Sequence, residues 1–202
     1  MKHQNFEKEI PAGYKQALHI NATDVKLGII FNLIAFVVLA AVMVIAFLPL
    51  DINTLLETAK NGIGIVTMLV FIISMLLYIV LHELVHGIAY KALTGEKLTF
   101  GMSWSCAFCG VPHIYVYRKT ALISVLAPFT VFTLIFIPLT VALYFVNPVY
   151  YLLSAVIFGM HLGGCSGDLY VTFLLLCKYK SPKTLMRDTG PEQFFFIPEN
   201  EG

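Results

Sequence analysis

Four apolar stretches, each long enough to cross a membrane, constrain the fold of this chain more than any other feature. About 20 apolar residues are needed to span the hydrocarbon core of a bilayer. The composition agrees, because 58% of the 202 residues are hydrophobic and 12% are charged, against roughly 25% charged residues in soluble domains. The sequence therefore predicts an all-α integral membrane protein, a four-span helical bundle. The four stretches are Leu27–Leu50, Ile63–Leu93, Thr120–Val146 and Val149–Tyr179.

The basic residues predict how this bundle is oriented. Twelve of the 13 lysines and arginines lie before the first stretch, near the end of the second or between it and the third, or near or after the end of the fourth, and only Lys60 lies in the first connection. Basic loops are retained in the cytoplasm, so both termini of a multi-pass cell-membrane protein are predicted to be cytoplasmic. We expect a cytoplasmic tail over residues 1–26, a membrane domain over 27–179 and a second tail over 180–202. A net charge of +1 gives no case for nucleic-acid binding, and the lipid bilayer is the expected surroundings.

Residues 95–119, between the second and third stretches, are apolar and aromatic but lack helical periodicity. Two short β-like runs, Leu98–Trp104 and Pro112–Tyr117, flank the segment Cys106–Gly110 and predict a β-hairpin insert. Exposed backbone is costly in lipid, so we expect this hairpin to be buried in protein or to lie at the interface. The alternating residues around Val116 further suggest an edge strand that receives an extended substrate.

A histidine–glutamate motif, His82-Glu83-Leu84-Val85-His86, lies near the end of the second stretch. A charged side chain at the centre of a span costs about 2.5–3.5 kcal/mol on insertion scales, so such residues are usually functional. Histidines at positions i and i+4 share one helix face, as the zinc ligands of HExxH peptidases do. Glu83 points about 100° away around the helix, where it can act on a water molecule rather than on the metal. The motif therefore predicts zinc bound by His82 and His86, with Glu83 as the general base.

A hydrolytic zinc site uses three protein ligands, so a third ligand must come from another part of the chain. Asp168 and His161, both in the fourth stretch, are the candidates. At 1.5 Å per residue, Asp168 lies about 15 Å from Lys178, and His82 about 13–14 Å from Lys91, so their depths agree within one helical turn. His161 lies about 10 Å deeper and is expected to have a second catalytic role, such as stabilising the oxyanion. A packing role for His161, or an ion pair between it and Asp168, stays open at this point.

The pattern Tyr78-x-x-x-His82-Glu83-Leu84-Val85-His86-Gly87, followed by an apolar hairpin and then Gly-x-x-Gly-Asp168, resembles the DUF3267 zincin peptidase group. That group is similar to the site-2 proteases, which are intramembrane metalloproteases. The resemblance implies that His82, His86 and Asp168 bind zinc, that Glu83 is the base and that the substrate is a transmembrane polypeptide. This chain has Cys-Ser-Gly-Asp168 where those proteases have Asn-Pro-Asp-Gly. The asparagine that helps to hold their substrate is thus absent, and His161 is the candidate to replace it.

These features together predict an intramembrane zinc endopeptidase that hydrolyses peptide bonds of membrane-associated proteins or peptides. A membrane metal-ion transporter is one alternative, but its pathway should show ionisable residues on several spans, and the first and third have none. A catalytically inactive membrane scaffold is another. A di-iron oxidase needs a second Glu-x-x-His motif, which the chain lacks. Cys106-x-x-Cys109 with His113 could form a small zinc or redox site, but a fourth ligand is missing.

Overall fold

The computed structural model of the chain describes residues 5–62, 64–102 and 107–201. Ile63, Trp104 and Cys106, which enter the sequence analysis, lie outside these residues. The chain forms two compact units. The sheet unit comprises residues Met1–Ile29, Leu81–Pro128 and Gly167–Gly202, and the helical unit comprises Ile30–Val80 and Phe129–Ser166.

The helices match the predicted spans closely. The α-helices are α1 (Val25–Phe47), α2 (Ile52–Gly62), α3 (Ile65–Thr94), α4 (Arg118–Tyr144), α5 (Pro148–Gly164) and α6 (Ser166–Phe173), and α6 continues into a π-helix over Leu174–Lys178. Helices α1, α3 and α4 and the segment Pro148–Lys178 are long and apolar enough to cross a membrane. This arrangement is consistent with a multi-pass membrane protein, and each helical segment ends within a few residues of its predicted stretch.

Strands account for much of the rest of the described chain. They are β1 (Phe6–Glu7), β2 (Tyr14–Asn21), β3 (Thr99–Met102), β4 (Ala107–Gly110), β5 (Tyr115–Tyr117), β6 (Leu185–Asp188) and β7 (Glu192–Pro198). Five of them form one antiparallel sheet in the order β1-β5-β6-β7-β2. The prediction of an all-α fold is therefore wrong. Its physical reason is that the segments expected to be polar tails carry apolar side chains, including Met186 and Phe195, which are fully buried in the core beside the sheet.

The segment between α3 and α4 contributes to two different sheets. Strands β3 and β4 pair antiparallel with each other in a separate two-stranded sheet. The second predicted run instead supplies β5, in which Val116 pairs with Phe6 on one side and with Met186 on the other. Val116 is fully buried. The expectation that this run offers a free edge to a substrate is therefore wrong.

In the helical unit, α5 approaches α1 closely through two glycines one turn apart. A Cβ atom added at Gly163 would lie 2.7 Å from Cα of Ala35, and one added at Gly159 would lie 2.7 Å from Cδ1 of Leu39. Small residues at this spacing allow helix backbones to pack closely where water gives no driving force. Large apolar side chains are exposed along α1 and α3, as expected for surfaces that contact lipid.

Candidate metal centre

Three metal-ligand side chains of the sheet unit converge on one point. Helix α3 carries His82 and His86 one turn apart, and their imidazole centroids lie 5.0 Å apart. Oδ2 of Asp168 lies 3.3 Å from Nε2 of His82 and 3.4 Å from Nε2 of His86. The ligand atoms of the three residues all lie within 4.8 Å of one another. The fold thus brings together the three residues that the sequence analysis selected as ligands.

These distances fit a zinc ion. Tetrahedral zinc with ligand bonds of about 2.0–2.1 Å separates neighbouring ligand atoms by about 3.3–3.4 Å. The two Asp168–histidine distances have these values. Two imidazoles and a carboxylate also form a donor set of hydrolytic zinc sites, which leave a fourth position open. The residues present therefore fit the metal.

The orientation of His86 is set by a backbone group of α4. Nδ1 of His86 lies 2.8 Å from the carbonyl oxygen of Ser124, and a carbonyl can only accept a hydrogen bond. Nδ1 must therefore carry a proton, so in the neutral imidazole the lone pair is on Nε2, the nitrogen that lies 3.4 Å from Asp168 and could bind a metal. Partners of this kind fix the tautomer and ring orientation of metal-binding histidines.

The local structure around Asp168 also suits a carboxylate. Helix α5 ends at Gly164, and α6 begins at Ser166, so Asp168 lies in the first turn of α6. The unpaired N–H groups at a helix start carry partial positive charge, which favours an anion there. The side chain of Asp168 is 23% exposed, whereas those of His82 and His86 are 12% and 10% exposed. The carboxylate thus lies at the more accessible side of the three-ligand group.

Glu83 is half-buried beside His82 on α3. Its carboxylate interacts electrostatically with both motif histidines and with Asp168, but among the described residues it does not belong to the three-ligand group. Glu83 therefore lies next to the three-ligand group and outside it, which is the position that the motif predicts for a general base.

The two-stranded sheet packs directly on the motif helix at Gly87. A Cβ atom added there would lie 2.7 Å from Cζ of Phe100, 3.1 Å from Cδ1 of Leu98 and 3.2 Å from Sγ of Cys109. Burial raises the pKa of the Cys109 thiol to about 12, with Asp188 and Glu83 adding to the shift. The absence of a side chain at Gly87, the residue after His86, thus allows the β3–β4 sheet to pack closely against the helix. His113, suggested together with Cys109 as a small metal site, is exposed.

A buried pair of polar side chains near the centre escaped the sequence analysis. The hydroxyl of Tyr90, one turn after His86 on α3, donates a 2.7 Å hydrogen bond to Oδ2 of Asp188 at the end of β6. Burial raises the pKa of Asp188 to about 6, although the hydrogen bonds from Tyr90 and from the N–H of Gly190 oppose the shift. The one signal in the sequence was the position of Tyr90, which continues the helical spacing of His82 and His86.

His161, proposed from sequence as a second catalytic residue, is fully buried in the helical unit. Its Nδ1 lies 2.9 Å from the hydroxyl of Tyr78 and 3.7 Å from Sγ of Cys165, and its Nε2 lies 3.1 Å from the hydroxyl of Thr133. Aromatic rings surround the imidazole with centroids 5.6–6.3 Å away: Tyr78, Phe129, Phe132, Phe136 and Phe158. Both ring nitrogens thus have hydroxyl partners within an apolar cage.

The comparisons with known proteins agree with the donor set. Residues 75–183 match the family DUF3267, described as "Putative zincin peptidase". Comparison with curated proteins and with solved structures gave no match. The matched segment covers more than half of the chain and contains His82, Glu83, His86 and Asp168. The chain therefore belongs to the DUF3267 family of zincin peptidases, and this membership indicates a zinc-dependent metallopeptidase.

Proposed function

We propose that this protein is an intramembrane zinc endopeptidase that cleaves membrane-associated proteins or peptides. The observation that carries the proposal is the placement of Asp168 3.3 Å from His82 and 3.4 Å from His86, on helices that can cross a membrane. Ionisable side chains inside membrane helices are energetically costly, so those that occur there usually have a function. The family membership supports the peptidase class, and the apolar helices support the membrane setting.

In the proposed mechanism, His82, His86 and Asp168 hold the zinc ion, and Glu83 moves protons. Zinc bound there would supply a Lewis acid that activates water and polarises the scissile carbonyl. A carboxylate oxygen of Glu83 takes the proton of the attacking water and passes it to the nitrogen of the leaving amine. The hydrogen bond from His86 to Ser124 keeps that imidazole in the tautomer that binds metal.

His161 is the second catalytic group in this proposal, assigned to stabilise the negative charge that develops on the carbonyl oxygen. Both of its ring nitrogens lie within hydrogen-bonding distance of hydroxyl groups. The assignment therefore requires His161 to exchange the hydroxyl of Tyr78 or Thr133 for the substrate during the reaction.

We further propose that the centre faces the cytoplasmic half of the membrane. The three basic segments that were predicted to share one side contribute the strands of a single sheet, with β1 and β2 from the first, β5 from the second and β6 and β7 from the third. A common sheet supports their lying on one side of the bilayer, and their basic residues favour the cytoplasm. His82 and His86 lie within about 18 Å of the end of α3, so the substrate would be cut near that surface.

Metal analysis of the detergent-purified protein tests the proposal. We expect about one zinc ion per chain in the wild type and its loss in the double variant His82→Ala with His86→Ala. His113→Ala, which removes an exposed histidine, is the matched control and should keep the metal. In proteoliposomes, the wild type should cleave reconstituted membrane peptides without moving zinc across the bilayer. Zinc flux without cleavage would favour the transporter, and zinc binding with neither activity would favour the scaffold.

A further inference from the structure

A buried hydrogen bond joins the C-terminal part of the sheet unit to the motif helix. Tyr90 of α3 is fully buried, and Asp188 of β6 is 5% exposed. The Tyr90 hydroxyl donates to Oδ2 of Asp188 at 2.7 Å. A hydrogen bond to a charged acceptor is stronger than one between neutral groups. Removing either partner would leave the other polar group buried without this bond, which destabilises a protein more than breaking an exposed pair does.

Asp188 is itself held in place by two further hydrogen bonds. Its Oδ1 accepts from the backbone N–H of Gly190 at 2.9 Å, and its backbone carbonyl oxygen accepts from the N–H of Val111 at 2.8 Å. Gly190 has a φ of +100°, a conformation that glycine adopts readily and other residues do not. Both oxygens of the carboxylate are therefore fixed, so Tyr90 is bonded to a rigid acceptor.

Tyr90 lies one helical turn after His86 and two turns after His82 on the same face of α3. Between these turns, Gly87 is in close contact with the β3–β4 sheet, through Phe100 and Cys109. His86 is held at Nδ1 by Ser124 of α4. The turn that carries the histidines therefore has few ways to rotate while the Tyr90 hydroxyl is bonded.

We propose that Asp188 is a positioning residue of the metal centre, which acts through Tyr90 to fix the rotation and axial position of the α3 turn that carries His82 and His86. The inference rests on the proposed function, because it concerns the same centre. A metal site needs its ligands within about 0.5 Å of their working positions, and anchoring the helix one turn away opposes the movements that would take them out of that range. Asp188 lies beyond residue 183, where the family match ends. The functional part of this chain would thus extend into the antiparallel pair β6–β7.

Zinc affinity of the full-length protein in detergent tests this role. Tyr90→Phe removes only the hydroxyl. Asp188→Asn keeps almost the same volume but removes the negative charge and one of the two acceptor oxygens, so the side chain can no longer accept from both Tyr90 and Gly190. We expect each variant to bind zinc about tenfold more weakly. This is the lower end of the loss of metal affinity that follows when a group that supports a metal ligand is mutated. The double variant should bind no more weakly than Tyr90→Phe, because the hydroxyl through which Asp188 acts is already absent from that variant. The visible absorption spectrum of the cobalt(II)-loaded variants should also differ from that of the wild type.

The chain offers a matched control in the same sheet. Tyr117 of β5 donates a 2.7 Å hydrogen bond to Oε1 of Glu7 in β1, so Tyr117→Phe and Glu7→Gln remove a similar tyrosine–carboxylate bond that does not involve α3. These variants should keep the zinc affinity and cobalt spectrum of the wild type. Thermal unfolding of the metal-free wild type and variants identifies a temperature at which all of them are folded. The zinc affinities are then measured at that temperature.

Each outcome decides the matter. Unchanged zinc affinity and cobalt spectrum in folded Tyr90→Phe would overturn the positioning role, and so would an equal loss of affinity in Tyr117→Phe. If Asp188→Asn does not fold, Tyr90→Phe alone decides, and if neither folds while both control variants do, the pair is a folding element and the positioning role is rejected. A wild-type protein that binds no zinc would instead refute the proposed function itself.

Discussion

Nδ1 of His86 lies 2.8 Å from the backbone carbonyl oxygen of Ser124. This contact joins the motif helix to α4 and determines which imidazole nitrogen is free for a metal. The carbonyl belongs to the backbone, so its presence does not depend on the identity of residue 124. Substitution of Ser124 by alanine should therefore leave the tautomer of His86, and with it the metal centre, intact.

Asp168→Asn should weaken zinc binding sharply, because an amide cannot provide the negative charge that helps to neutralise a dication in a low-dielectric site. Asp51→Asn is the control. Asp51 is exposed and accepts hydrogen bonds from the N–H and hydroxyl of Thr54, so its replacement should cost some stability of α2 without loss of metal. Competition with a chelator measures both affinities. Wild-type zinc affinity in Asp168→Asn would remove Asp168 from the ligand set.

His161→Ala should keep zinc and slow catalysis. It should also lower the unfolding temperature, because it removes a hydrogen bond from each of the hydroxyls of Tyr78 and Thr133 within an apolar cage. The double variant Tyr78→Phe with Thr133→Val separates the two effects, since it removes the hydroxyls and retains the imidazole. If the double variant is as slow as His161→Ala, the hydrogen-bond network matters rather than the ring, and the catalytic assignment of His161 fails.

Gly87→Val should lower the unfolding temperature, because the added atoms would overlap Phe100 and press on Leu98 and Cys109. Overpacking of this kind costs about 1–3 kcal/mol. At Gly28 of α1 no atom lies within 4 Å of an added Cβ, so Gly28→Val should change the stability by no more than about 0.5 kcal/mol. Thermal unfolding in detergent compares the two. Equal unfolding temperatures for both variants would contradict the close packing of β3 and β4 on α3.

Cys109 should resist alkylation in the folded protein. Thiolates rather than thiols react with maleimides, and a pKa of about 12 leaves about one thiolate in ten thousand thiols at pH 8. Cys177 is exposed and should be labelled by a membrane-permeant maleimide under the same conditions. Mass spectrometry of the digested protein measures the extent of labelling at each cysteine. Cys109 should react at the rate of a free thiol only after unfolding, and rapid labelling in the folded state would show that the β3–β4 sheet does not cover it.

The spans and the three candidate ligands that the fold brings together could be predicted from the sequence because their signals are local or chemically rare. Each span is a long apolar run, and the histidine spacing is contained within one helix turn. Asp168 was identifiable because few carboxylates occur inside such runs. The same reasoning accounts for the match between the predicted and observed positions of α1, α3 and α4.

The sheet was missed because its pairings are non-local. Strand β1 has two residues, and β2 pairs with β7 across most of the length of the chain. No local pattern predicts that Tyr14–Asn21 pairs with Glu192–Pro198. The cluster Phe194-Phe195-Phe196 was visible in the sequence, but only the fold shows that Phe195 is buried in the core while Phe194 stacks on His19 with ring centroids 4.3 Å apart.

The hydrogen bonds that join the motif helix to other elements could not be predicted from the sequence, for related reasons. Tyr90 and Asp188 are 98 residues apart, and nothing in either neighbourhood indicates the other. The acceptor for His86 is a backbone oxygen, which every residue has. Sequence patterns thus predict the candidate ligands of the centre, whereas the groups that contact these side chains and orient them follow only from the fold.

The most direct test of the proposed peptidase compares the wild type with Glu83→Gln for zinc content and for cleavage. Isolated membranes are incubated with each purified protein, and newly formed α-amino termini are labelled and identified by mass spectrometry. We predict about one zinc ion per chain in both proteins. Only the wild type should produce new termini at a measurable rate, because loss of a general base slows a reaction about 10²–10⁴-fold. Equal cleavage by Glu83→Gln, or loss of its zinc, would contradict the assignment of Glu83 as the base of a zinc peptidase.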